Sequence, residues 1–233
     1  IYSFANVVSN AVVMLGGAVM FIFYPKILSK YISSNRQEVG ELSRKIDNTY
    51  VIAINIVCFT SLLVYSLLTF FVREFSESMQ VYKILILSQI FINSSTVSSI
   101  SLISQKKEIY LVYIGFLSIL ISVITSISLC VIGGKIELIS LTVLFSSLLY
   151  SSLIFFLEKR IEKENVDFKM FYFYIFKGAD IPVLFILFSI YIEENIVIIL
   201  FSLILYLYIC RNKLSYLIKV TLNIFSNNNM LKF

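Results

Sequence analysis

Seven stretches of this chain are almost continuously apolar and nearly free of charge: 2–25, 49–72, 81–104, 109–132, 138–157, 171–192 and 196–210. Most reach the roughly 20 residues that a helix needs to cross a bilayer, and the last is short. Apolar residues follow one another without the every-second-residue alternation of a barrel strand. The pattern predicts an all-α protein, a polytopic integral membrane helical bundle of about seven transmembrane helices.

The connections between these stretches alternate in charge. Segment 28–48 carries Lys30, Arg36, Arg44 and Lys45, with Lys26 just before it, whereas 73–80 has only Arg73 near its start. Lys106 and Lys107 fill the next connection, then Lys135 stands alone, and then come Lys159, Arg160, Lys163 and Lys169. Segment 193–195 has no cation, and the tail has Arg211, Lys213, Lys219 and Lys232. Of the 19 Lys and Arg residues, 15 fall in every second connection. The positive-inside rule assigns that set to the cytoplasm, in a multi-pass protein of the cell inner (cytoplasmic) membrane with a cytoplasmic carboxyl terminus. Lys83 and Lys177 lie near predicted span ends.

Composition sharpens the class. The 233 residues are 59% hydrophobic and 14% charged, with a mean hydropathy of +0.91. A soluble domain carries about 25% charged residues, so a water-solvated globule is excluded. The +5 net charge is explained by membrane-side sorting, and no nucleic-acid partner is expected. The chain has no His, which removes imidazole catalysis and His-liganded zinc. Cys58, Cys130 and Cys210 are far apart within apolar runs and read as buried small hydrophobes. No cofactor or metal is expected.

The chain opens inside a helix on the outer side, with Ile1 instead of methionine and no signal-peptide pattern. It is expected to be the carboxyl-terminal part of something longer, 1–233 forming one transmembrane lobe with 211–233 as its cytoplasmic tail. In the longest cytoplasmic connection, Asn35 and Glu38 have capping-box spacing, and Val39, Leu42 and Ile46 recur at helical intervals. This predicts a short amphipathic helix on the cytoplasmic face or an ordinary solvated connector. Gly16-Gly17 is expected to admit a neighbouring helix, and Gly133-Gly134 to form a tight external turn.

Three stretches carry a family resemblance. Ile1-Tyr2-Ser3-Phe4-Ala5 leads to Tyr24-Pro25-Lys26-Ile27-Leu28-Ser29; a serine-rich third span ends at Ser104-Gln105-Lys106-Lys107; and Phe176-Lys177-Gly178 opens a hairpin ending at Tyr206-Leu207-Tyr208 and a basic tail. The pattern resembles the second half of a Wzx-like polysaccharide (O-antigen) flippase, in the superfamily of multidrug exporters and the lipid II flippase. That resemblance implies the second lobe of a two-lobe MATE-like flippase fold, as spans eight to fourteen. It implies alternating access and a polyprenyl-pyrophosphate-linked oligosaccharide repeat unit as substrate. Family members are about twice as long, so the partner of this lobe would be the amino-terminal lobe missing here.

Ionisable and amide groups at membrane depth are the site candidates. Lys177 with Asp180 three residues on could meet a substrate pyrophosphate; equally, a span starting near Phe176 lets Lys177 snorkel to the interface. On the third span Gln89, Asn93 and Thr96 share one arc, opposite Ile84, Phe91 and Leu102, with Ser98 an exception. On the first span Ser3, Asn6, Asn10 and Gly17 share another, opposite Val8, Leu15 and Val19. These amides are candidates to bind the sugar headgroup or to bond neighbouring helices. No enzyme is expected, because Glu193-Glu194 and Glu162/Glu164 suit solvated turns and no phosphate-cradling Gly spacing occurs. A membrane-embedded polymerase or transferase and a non-transporting membrane fragment stay open as alternatives.

Overall fold

The computed structural model describes residues 2–33, 36–162, 166–176, 179–191 and 196–211, and among them it is helical with no strand. The helices are α1 Tyr2–Ser33, α2 Arg36–Phe71, a 3-10 turn Arg73–Ser78, α3 Met79–Ser94, α4 Thr96–Ser104, α5 Glu108–Val131, α6 Ile136–Glu162, α7 Phe168–Phe176, α8 Asp180–Tyr191 and α9 Ile196–Ile209. Four runs are long and apolar enough to cross a bilayer, within α2, across α3–α4, in α5 and in α6. The bent pair α7–α8 makes a fifth if taken as one crossing. This is a multi-pass helical membrane protein. Helix α9 has 14 residues, about 21 Å at 1.5 Å per residue.

Each expected stretch is helical over most of its described residues, but several boundaries move. Helix α1 runs through Pro25 to Ser33. The amphipathic segment after Asn35 is no separate surface helix: it forms the start of α2, continuous with the second span. Asn35 itself lies outside the described residues. The third span begins earlier than residue 81 and breaks at Ser95. The span expected over 171–192 is two helices bent by 64°. Pro182 lacks an N–H and sits in the first turn of α8, where a helix leaves that donor unpaired anyway. Val183 N–H then bonds the Ala179 carbonyl at 2.8 Å, while Ala179 N–H closes α7 on the Phe176 carbonyl at 2.7 Å.

Helix α3 is the centre of the bundle, with every side chain from Val81 to Phe91 buried. Ile84, Phe91 and Leu102, opposite the polar arc, are as buried as Gln89 and Asn93, and Ser98 is buried too. A helix enclosed on all sides has no lipid face, so its amphipathic arc says nothing about outside. Helices α1, α2, α6, α7 and α8 surround it. From α1, Ala5, Ser9, Val12, Gly16 and Met20 point inward at helical spacing. At one end Phe4 stacks on Phe75 at 4.1 Å and Tyr65 on Tyr82 at 3.9 Å. Lys83, expected at a span end, is buried in α3, because the helical run starts before it.

Helix α5 is the rim. It packs on α6 and α4 and exposes apolar side chains such as Val112, Phe116, Ile119, Val123 and Ile127. Small residues hold it to α6: Ser118 is buried, Ser126 Oγ lies 2.7 Å from Thr142 Oγ1, and a Cβ on Gly115 would sit 4.0 Å from the Tyr150 ring. The α5–α6 turn needs Gly133 at φ +77°, with Gly134 N–H on the Leu129 carbonyl at 2.8 Å. The turn after α4 instead places Lys106 at φ 57°, with Lys107 N–H on the Leu102 carbonyl at 2.9 Å.

Candidate functional site

Gln89 and Asn93 are carried by the enclosed helix α3 and do not face an open path. The Tyr50 hydroxyl of α2 donates to Asn93 Oδ1 at 3.0 Å, and Asn93 Nδ2 donates to its own helix at the Gln89 carbonyl, 2.8 Å away. Thr96 stands beside the same tyrosine hydroxyl. The third wall is Gly16 of α1, where an added Cβ would lie 2.9 Å from Ile54 Cδ1, 3.3 Å from Tyr50 Oη and 3.6 Å from Asn93 Oδ1. Gly16 thus performs the close approach expected of the glycine pair, whereas Gly17 has nothing within 4 Å. Ser9 Oγ on α1 and Gln89 Oε1 on α3 are each buried without a hydrogen-bond partner.

The other amide stripe goes elsewhere. Asn10 is exposed and Asn6 half-buried, with Ser3 and Gly17 exposed along the same line. At 100° per residue this stripe lies roughly 110° around α1 from the face that meets α3. The two stripes therefore do not share one wall within this chain. Exposed Val7, Met14 and Phe21 share the outer surface of α1 with Asn10.

Asp180 opens α8 and accepts a hydrogen bond from the Tyr172 hydroxyl at 2.6 Å. A carboxylate in a first helical turn is favoured by the helix dipole. Asp180 is the first residue of α8, and the helix face expected to pair it with Lys177 falls partly outside the described residues. Lys177 lies outside the described residues.

The cation that sequence inspection undervalued is Lys83. Its Nζ donates to the Ser189 carbonyl of α8 at 2.7 Å, within the last turn, where helix carbonyls lack backbone donors and the dipole favours positive charge. The signal available was a lysine set between Val81-Tyr82 and Ile84-Leu85-Ile86-Leu87, inside a predicted span. Tyr206 was also legible only as an aromatic: it is buried, receives a bond from Asn55 Nδ2 at 3.1 Å and packs 5.0 Å from the Phe59 ring, tying α9 to α2.

A comparison with protein-family models, with curated proteins and with solved structures finds no match to this chain. Chemistry must therefore be judged from the side chains. Among the described residues no three His, Cys, Asp or Glu side chains gather as a metal site. Cys58 and Cys210 are buried thiols as expected, while Cys130 is exposed near the end of α5, beyond its small-residue contacts. The arrangement offers carboxamides and hydroxyls, groups that bind by hydrogen bonding, on a rigid helical frame.

Proposed function

We propose that this chain is one lobe of a flippase that moves polyprenyl-pyrophosphate-linked oligosaccharide units across the cytoplasmic membrane by alternating access. The family resemblance supplies the substrate class, and the placement of Asn10 supports the transport geometry. Asn10 and Asn6 stand on the outer side of a helix whose surrounding exposed side chains are apolar. A carboxamide facing hydrocarbon is costly, so the stripe calls for protein or water opposite it. In the proposal that partner is a second, amino-terminal lobe, and the space between the lobes is the hydrophilic path for the sugar headgroup. The seven helical stretches then act as spans eight to fourteen of a two-lobe MATE-like transporter, with the carboxyl terminus cytoplasmic. The chain is no enzyme in this proposal, and one lobe alone moves no substrate.

The two amide stripes divide the roles. Asn6 and Asn10 line the path, while Gln89, Asn93 and Thr96 hold the lobe together behind it. In the two-lobe protein, Asn10→Leu should reduce surface polysaccharide export with membrane abundance unchanged, and Asn93→Leu should lower abundance and export in parallel. Unimpaired export by both Asn10→Leu and Asn6→Leu would end the proposal that this stripe lines the path.

A further inference from the structure

The most buried helix of the bundle is also interrupted, and the interruption has its own hydrogen-bond chemistry. At Ser95 (φ −93°, ψ −3°) the backbone N–H turns to the Ile92 carbonyl at 3.1 Å, a 3-10-type bond. In a continuous helix that N–H would serve the Phe91 carbonyl. Two hydroxyls take its place there. Ser94 Oγ donates to the Phe91 carbonyl at 2.7 Å, and Ser151 Oγ, reaching across from α6, donates to the same oxygen. The two hydroxyl oxygens are 3.0 Å apart. Ser94, Ser95 and Ser151 are all buried, so water does not supply the exchange. Beyond the break, Ser99 N–H bonds the Ser95 carbonyl at 2.9 Å and the helix resumes as α4.

We infer that the α3–α4 junction is a two-position hinge in which the Phe91 carbonyl exchanges the Ser151 hydroxyl of α6 for the Ser95 backbone N–H. In the broken form α6 holds the carbonyl; in the continuous form the helix does, and the Ser151 hydroxyl turns back to its own helix, as its neighbour Ser152 does on the Leu148 carbonyl at 2.7 Å. Both forms satisfy the carbonyl, so neither leaves a buried polar group orphaned. This is the condition for two populated arrangements in a dry interior. The hinge sets how α4 is aimed relative to α3, and through α4 it reaches α5 and α1, which pack on α4. It is independent of the substrate assigned above.

Isotope-edited infrared spectroscopy of the chain reconstituted in bilayers, with a 13C=18O label at the Phe91 carbonyl, reads the exchange directly. Two amide I bands whose ratio changes with temperature are expected, the lower-frequency one from the carbonyl held by two hydroxyls. Ser151→Ala should move the ratio toward the higher-frequency band by roughly fivefold, the scale of one hydrogen bond. Ser151→Thr, which keeps the hydroxyl, should retain both bands, and Ser147→Ala, whose hydroxyl bonds its own helix at Leu144, should leave the spectrum unchanged. A single band at all temperatures in the unaltered chain would overturn the inference even if Ser151→Ala failed to fold. An unchanged ratio in a folded Ser151→Ala variant would overturn it as well.

Discussion

Replacing Asn93 with leucine removes the acceptor of the Tyr50 hydroxyl at a point where both side chains are more than nine-tenths buried. A buried hydroxyl left without a partner costs about 1–3 kcal/mol. Interhelical hydrogen bonds in membrane bundles average about 0.6 kcal/mol by double-mutant cycles and reach about 1.7. Thr96, beside the same hydroxyl, can take over part of the bond and pushes the value toward the lower figure. Asn93→Leu and Tyr50→Phe should therefore each destabilise the bundle by about 1 kcal/mol, and together by less than the sum of the two. The coupling should be about 0.6 kcal/mol in the native background and nearer 1.7 after Thr96→Val removes the substitute acceptor. Reversible unfolding in bicelles, by steric trapping or by titration with SDS, measures all the variants on one scale. Additivity within about 0.3 kcal/mol in both backgrounds would refute the assignment of Asn93 as a bond between helices.

The remaining expectations are simpler to read. Ser126→Cys with Thr142→Cys, in a chain whose exposed Cys130 is replaced by serine, should cross-link on mild oxidation, since the native oxygens are 2.7 Å apart; no cross-link in intact membranes would mean that α5 is not seated on α6. Lys106→Gly should raise the unfolding midpoint, with a gain on the order of 1 kcal/mol, because a lysine at φ 57° bears a steric penalty that glycine does not; a loss of stability would show that the lysine side chain matters more than its backbone. From the charge sorting, an impermeant thiol reagent should reach Glu77→Cys from outside and Lys107→Cys only from the cytoplasm. Ser78→Cys should react with neither, because that position is buried.

The helical stretches were legible because continuous apolar runs bounded by charge leave few alternatives in a chain of this composition. What surrounds each helix was not. Gln89 and Asn93 share α3 while Thr96 follows the break at Ser95, α3 has neighbours on every side, and one-dimensional periodicity cannot separate a cavity from a contact. Lys83 looked terminal because apolar runs were counted from Val81, while the helix was extended backward by the 3-10 turn and Met79. The break at Ser95 has no unique signature: serine is tolerated inside membrane helices, and the partner that stabilises the break, Ser151, is 57 positions from Ser94 and 60 from Phe91 in the chain. The α7–α8 bend was more accessible, since Gly178 and Pro182 both disfavour a continuous helix. Asn6 and Asn10 stand out in the sequence as amides in an apolar run, and the structure adds that they share no wall with Asn93.

The enclosure of α3 has a consequence for how the protein is made. Its run is the least apolar of the four that can cross a bilayer, and the groups that receive Lys83 and Phe91 belong to α8 and α6, which leave the ribosome later. About 85 residues separate the end of α4 from Ser189, so at 5–20 residues per second the central helix waits roughly 4 to 17 seconds for its last partner. At its start α1 and α2 are the neighbours already made, α6 and α7 follow during it, and the α8 carbonyl that Lys83 caps comes last. The core of this bundle is thus completed from its carboxyl-terminal side, after the helix at its centre has been made.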